Sequence, residues 1–166
     1  GFDRGERGAG TRNYAVVLGT SSRTAAFARL LAQRLQDEPP NDGFDGVVAV
    51  AHTEGGGDGV PNNHDLLLRT LAGFAVHPNV GALLAVDYGS EAVPNQLLEG
   101  YLRSESRTID GVPHRFLSLG GGFERHLEVG ANLLRGWARE LSKARRQPLP
   151  AAHLRLALQC GGSDSF

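Results

Sequence analysis

The chain has 166 residues and a formal net charge of −1, from 17 Lys and Arg against 18 Asp and Glu residues. With 40% hydrophobic and 21% charged residues, it has the composition of a folded globular domain rather than of a disordered segment. The balanced charge argues against a nucleic acid or an anionic membrane surface as partner, and no apolar run reaches the roughly 20 residues that a transmembrane helix needs.

Short apolar runs predict five buried strands. They lie at 14–18, 47–51, 82–86, 115–119 and 154–158. Residues 1–13 contain four glycines and predict an extended lead-in before the first strand.

Between these runs, apolar residues recur at helical spacing. The predicted helices run from Ser21 or Ser22 to Pro39, from Asn62 or Asn63 to about 77–79, from Pro94 to about 102, and over 123–145. Strands that alternate with helices predict βαβ units. The fold class is therefore α/β: a three-layer, Rossmann-like sandwich with a mostly parallel, about five-stranded sheet.

The cysteine and methionine counts bear on the setting of the domain. The single cysteine, Cys160, has no partner for an internal disulfide, which indicates the cytoplasm. Methionine is absent, and the chain stops soon after the fifth apolar run. We therefore expect residues 14–166 to be a single α/β domain that is a fragment of a longer multidomain chain.

A functional site is expected at one edge of the predicted sheet. Parallel strands bring the loops after their carboxyl ends together, and open α/β folds bind ligands there. All five of these loops contain glycine, and four carry polar side chains, whereas the connections at the opposite edge are ordinary turns. The five loops are 19–23, 52–59, 87–91, 120–122 and 159–164.

Two familiar chemistries find no motif in these loops. The segment after the first strand lacks the G-x-G-x-x-G dinucleotide fingerprint, and the glycine-rich segment 55–59 has no Walker lysine. No G-x-S-x-G nucleophile elbow occurs. The glycines at 120–122 are consistent with an anion at the next helix N-terminus, but such a run more often forms a tight turn with close packing.

Metal-assisted proton abstraction is the third candidate, because imidazole, thiol and carboxylate groups bind divalent transition metals. These groups occur in the carboxyl-edge loops at His52, Glu54, Asp58, Glu91, Cys160 and Asp164. Asp and Glu in glycine-rich turns also commonly bond loop amides, and His52 fits a structural role as well as a site. Arg12 and Arg23 are able to hold a carboxylate in a bidentate manner.

Six motifs in order give the chain a family resemblance. They are GAGTRNY at 8–14, HTEGGG at 52–57, RTLAG at 69–73, HPNV at 77–80, GSE at 89–91 and CGGSD at 160–164. The sequence resembles the altronate dehydratase and D-galactarate dehydratase family, also called altronate hydrolases. The resemblance covers effectively the whole chain and matches the family's central domain.

The resemblance implies a hydro-lyase that converts a hexonic or hexaric acid to a 2-keto-3-deoxy acid, with Fe²⁺ as the usual cofactor. The proton α to the carboxylate is removed, and the 3-hydroxyl then leaves. We predict catalytic roles for His52, Glu54, Glu91 and Asp164, and substrate binding by Arg12, Asn13, Arg23 and Ser163. Cys160 and His52 are the predicted metal ligands. Three further family cysteine positions are occupied here by Arg23, Gly56 and Ser90.

The expected partners are a small sugar acid, neighbouring domains of the same chain and a second copy in a homo-oligomer. Two alternatives stay open at this point. The domain could be a divergent, non-catalytic ligand-binding or assembly domain, or part of a lyase for a related substrate such as sulfolactate.

Overall fold

The computed structural model describes residues 1–36, 41–57, 59–104, 109–158 and 161. The lead-in carries a small antiparallel hairpin of β1 (Phe2–Asp3) and β2 (Ala9–Gly10), joined through a 3-10 turn at Gly5–Arg7. The main sheet follows, and its strands are β3 (Tyr14–Gly19), β4 (Gly46–Val50), β5 (Val80–Asp87) and β6 (His114–Ser118).

All pairings within the main sheet are parallel, in the order β4-β3-β5-β6. Val16 of β3 faces Val48 on one side and Leu83 on the other. All eight residues of β5 are buried, as expected for an inner strand covered on both faces. The predicted parallel sheet is confirmed, with four strands in the described part of the chain.

Four α-helices in the described ranges cover the two faces of the sheet in pairs. They are α1 (Ala25–Gln33), α2 (His64–Ala75), α3 (Asn95–Ser104) and α4 (Phe123–Leu141). Alternate residues of β3 point to opposite faces. Val17 packs with α1 and α4 in one core cluster, and Leu18 packs with α2 and α3 in the other. The three-layer sandwich is therefore confirmed.

The predicted fifth strand at 154–158 is wrong. Leu154, Leu156 and Leu158 are 66%, 77% and 88% exposed, and the segment is not in a strand. A right-handed connection from β6 to a strand beyond it requires a helix on the α2/α3 face. The α4 helix instead packs with α1 on the other face, so the chain turns away from the open side of β6.

The strand order places the topological switch point between β3 and β5. The chain leaves β3 in one direction, through α1 to β4, and then crosses back through α2 to β5 on the other side of β3. Connections that diverge in this way open a crevice at the carboxyl ends of the two strands, where α/β proteins bind ligands. A functional site is therefore expected at the segments that follow β3, β4 and β5.

Candidate active site at the carboxyl edge

Three loops are bonded to one another at the switch point. The segment after β3 bonds to the loop after β4, since Ser22 N donates to Glu54 O at 2.8 Å. It also bonds to the loop after β5, where Ser21 Oγ donates to Glu91 Oε1 at 3.4 Å. The structure therefore brings together His52, Glu54, Glu91 and Arg23, four of the residues that the sequence predicts for the site.

His52 braces its loop through both ring nitrogens. Nε2 lies 3.0 Å from the carbonyl oxygen of Gly19, and Nδ1 accepts a hydrogen bond of 3.2 Å from the backbone N of Glu54. Since Nδ1 is an acceptor, the proton of the neutral ring is assigned to Nε2, which donates to Gly19. This arrangement leaves the imidazole no lone pair for a metal ion or a substrate proton.

Glu91 is a buried carboxylate that holds the turn after β5. Its Oε1 accepts from Tyr88 N at 2.7 Å, and its Oε2 accepts from Ser90 N at 3.0 Å. Backbone N–H groups satisfy an ionised carboxylate and fix its orientation. Glu91 is thus an anchor for the Tyr88–Ser90 turn in this structure.

Glu54, in the loop after β4, is an exposed carboxylate. It accepts from Thr53 Oγ1 at 3.2 Å and from Asn63 Nδ2 at 3.3 Å. Both partners are neutral side chains on the surface, so the carboxylate can exchange them for water or a ligand. Among the predicted catalytic residues that the structure describes, Glu54 is the carboxylate that solvent reaches, whereas Glu91 is buried.

Arg23 connects all three loops. Its Nε donates to Gly56 O at 2.7 Å, and its Nη1 donates to Ser90 Oγ at 3.3 Å. The guanidinium therefore joins the segment after β3 to those after β4 and β5. Arg23, Gly56 and Ser90 also occupy the three positions at which the family resemblance implies cysteines, and these positions, far apart in sequence, meet here.

Arg12 and Asn13 lie at the opposite edge, because they directly precede β3. Arg12 pairs with Asp45 at 3.2 Å, while Asn13 is fully buried and donates to Gly43 O at 2.6 Å. Asn13 Oδ1 also accepts from Arg4, whose pKa is lowered by burial and secondly by the neighbouring Arg7 cation. The structure therefore does not bring Arg12 and Asn13 to the carboxyl edge.

The remaining predicted site residues lie outside the described residues. They are Asp58, Cys160, Ser163 and Asp164. Within the described ranges, no three His, Cys, Asp or Glu side chains are grouped so that they could hold a metal ion. His52 and Glu91 are already committed to backbone partners, and Arg23 brings a fixed positive charge. The described donors at these loops do not fit Fe²⁺.

A second polar cluster next to the site was not predicted. Asp87, at the end of β5, accepts from Asn95 N at 2.7 Å, from Asn95 Nδ2 at 2.9 Å and from Ser118 Oγ at 2.6 Å. Its carboxylate thus stabilises the start of α3 and ties β5 to β6. One sequence signal could have identified this cluster. It is an acidic residue at the end of an apolar run, eight residues before Asn95, where a helix begins directly after a proline.

The described part of the chain contains no helix with the length and apolarity required to cross a membrane. No solved structure matches the chain significantly.

Sequence comparison identifies relatives. The chain is 28% identical to the altronate dehydratase of Bacillus subtilis (strain 168) over 170 residues, covering 100% of this chain and 32% of that protein. It is 28% identical to the altronate dehydratase of Escherichia coli (strain K12) over 166 residues, covering 99% of this chain and 32% of that protein. The chain therefore spans about a third of the length of these curated relatives.

A family model also matches most of the chain. The model described as "D-galactarate dehydratase/Altronate hydrolase, second domain" matches residues 1–142, which include the lead-in hairpin and every element through α4. The match confirms the family resemblance that the six sequence motifs carry. The chain belongs to the D-galactarate dehydratase/altronate hydrolase family.

Proposed function

We propose that this chain is the central domain of a sugar-acid dehydratase, a hydro-lyase that removes water from a hexonic or hexaric acid to give a 2-keto-3-deoxy acid. Family membership and two relatives that carry the name altronate dehydratase support the reaction class. The observation on which the proposal chiefly rests is the convergence of Arg23, Glu54 and the serine hydroxyls at the switch point.

The chemistry proposed for these residues begins with the acid group of the substrate. Arg23 is a permanent cation whose guanidinium matches a carboxylate in geometry. Next to it, Ser22 and Ser90 supply hydroxyl groups that suit a polyhydroxy acid. A carboxylate held at Arg23 would lie among the three loops, in the crevice where α/β folds bind ligands.

Glu54 is the proposed general base. It removes the proton from C2, a double bond forms between C2 and C3, and the 3-hydroxyl leaves as water with a proton from an acid group. The resulting enol takes up a proton at C3 and loses the proton of its 2-hydroxyl, which gives the 2-keto product. Asp164, Ser163 and Cys160 remain proposed contributors from the segment after residue 158, and neighbouring domains complete the site.

The wider setting is part of the same proposal. We place the reaction in the cytoplasm, as the single cysteine indicates, with a small sugar acid as substrate and a homo-oligomer as the working form. Fe²⁺ stays a prediction from the family resemblance, and no step above depends on it.

Turnover by the full-length protein tests the proposal. Altronate, galactarate and sulfolactate are supplied separately, and the formation of 2-keto acid is followed with time. We expect product from altronate or galactarate, and at least a tenfold lower kcat/KM for Arg23→Ala, which corresponds to about 1.4 kcal/mol. Arg34→Ala is the matched control, because Arg34 pairs with Glu124 on α4 and not with the loops. Product from sulfolactate alone would contradict the assigned substrate class.

A second candidate is a non-catalytic ligand-binding domain. One observation favours it: the side chains of His52 and Glu91 form hydrogen bonds to backbone atoms. Calorimetric titration with the same three acids separates the candidates. Saturable binding that is lost in Arg23→Ala, without keto acid from any substrate, would replace the dehydratase by the binding domain.

A further inference from the structure

We propose that the guanidinium of Arg23, and not a metal ion, is the cation that joins the three carboxyl-edge loops of this chain. The inference concerns the site of the proposed function. Its test measures stability and metal content, so it stands or fails separately from the identity of the substrate.

Arg23 lies where the three loops meet. A divalent ion at a switch point would bind donors from several loops and so fix the loops relative to one another. Arg23 makes such a connection already, from the segment after β3 to Gly56 O at 2.7 Å and to Ser90 Oγ at 3.3 Å. Guanidinium hydrogen bonds are charge-assisted and have fixed directions, so one side chain holds two loops in place.

The positive charge of Arg23 disfavours a metal ion at the same position. An arginine side chain carries a fixed positive charge in proteins. A divalent cation placed among Ser90, Gly56 and Ser22 would therefore lie beside a positive charge. Gly56 O and Ser90 Oγ, two of the oxygen atoms that Arg23 contacts, are neutral and carry no charge that would attract the ion. Unlike charges attract and like charges repel most strongly at such short range.

The described residues of these loops offer a metal ion few ligands and little space. Two candidate donors in these loops, His52 and Glu91, accept backbone hydrogen bonds with atoms that would bind a metal. A Cβ atom built at Gly56 would overlap Ser22 Oγ and would lie 3.4 Å from Arg23 Cγ. Position 56 therefore has no room for a ligating side chain while Ser22 and Arg23 keep these conformations.

Metal content and thermal unfolding of the 166-residue chain test the inference. The chain is purified with and without EDTA, its metals are measured by mass spectrometry, and Fe²⁺ (under anaerobic conditions), Mn²⁺ and Zn²⁺ are added in turn. We expect much less than one metal ion per chain and a Tm that neither EDTA nor the added ions change. Arg23→Ala is expected to lower the Tm and to increase hydrogen exchange at 54–57 and 88–91 about fivefold.

Two further variants make the result decisive. Arg23→Lys keeps the charge and loses the two-directional geometry, so we expect exchange rates between those of the wild type and Arg23→Ala. Arg34→Ala removes another exposed arginine, from a different surface, and should leave both loops unchanged. A stoichiometric metal ion whose removal lowers the Tm of the wild type would overturn the inference. So would loop exchange in Arg23→Ala that equals that of Arg34→Ala.

Discussion

His52 Nε2 lies 3.0 Å from the carbonyl oxygen of Gly19, so the loop after β4 is fastened to the end of β3 by an imidazole ring. The other nitrogen of the ring accepts from Glu54 N, which shapes the same loop. A residue that looks like a catalytic base in sequence is thereby used for loop geometry. The distinction between the two roles is measurable.

Replacing His52 by alanine is expected to destabilise the chain. The change leaves Gly19 O and Glu54 N without their partners, and each of the two lost hydrogen bonds costs about 1 kcal/mol. For a chain of this size, their combined cost lowers the Tm by roughly 4–8 °C. Thermal unfolding followed by circular dichroism measures the effect, with His153→Ala in the exposed tail as control. An unchanged Tm in His52→Ala, together with lost turnover, would assign His52 to catalysis instead.

Glu91→Gln tests the anchoring of the turn after β5. The amide keeps one oxygen acceptor but presents an NH₂ group to one of two backbone N–H donors, Tyr88 N or Ser90 N. A buried donor that faces another donor costs about 1–3 kcal/mol. Urea denaturation should show a lower midpoint with an unchanged m-value. Glu99→Gln is the control, because Glu99 forms an exposed pair with Arg103, and such pairs contribute little.

The sequence allowed the layers of the fold to be predicted because burial on both faces leaves a continuous apolar run. β5 is the clearest example, with Ala82 to Val86 apolar and fully buried. Residues 154–158 show the limit of the same signal. Alternating leucines are typical of a strand, but a strand also needs a neighbour, and α4 lies on the face that directs the chain away from β6.

The candidate site was predictable to the level of its loops, not of its side chains. Parallel strands place the segments after β3, β4 and β5 together, so the alternation of strands and helices in the sequence is sufficient to predict that these loops meet. Arg12 and Asn13 precede a strand, and so the same rule locates them at the other edge. The hydrogen bonds of His52, by contrast, depend on the position of Gly19 O after folding, which no local sequence pattern records.

The cluster around Asp87 should show energetic coupling. Ser118 Oγ donates to Asp87 Oδ1 at 2.6 Å, and Asn95 donates to both carboxylate oxygens. Hydrogen bonds to a charged group contribute about 1.5–3 kcal/mol, so we expect Ser118→Ala to cost an amount in this range. A double-mutant cycle with Asp87→Ala, followed by urea denaturation, measures the coupling. Additive effects of the two changes would contradict a direct bond.

Two glycines of α4 form a matched pair for testing helix packing. In a helix interior, Gly→Ala normally stabilises by about 0.5–1 kcal/mol. A Cβ atom at Gly136 meets nothing within 4 Å, so Gly136→Ala should show this full gain. At Gly130, the added carbon would lie 2.6 Å from Leu31 Cδ2 of α1, and Leu31 is fully buried.

Because Leu31 has little room to move, Gly130→Ala should be destabilising despite the same gain in helix propensity. Overpacking of this kind typically costs about 1–3 kcal/mol. Thermal unfolding of the two variants therefore gives Tm shifts of opposite sign. Leu31→Ala should cost less stability in the Gly130→Ala background than in the wild type, since the new methyl group fills part of the space that the leucine leaves. Equal stabilisation by both glycine replacements would mean that α1 and α4 do not pack as closely as their shared core cluster requires.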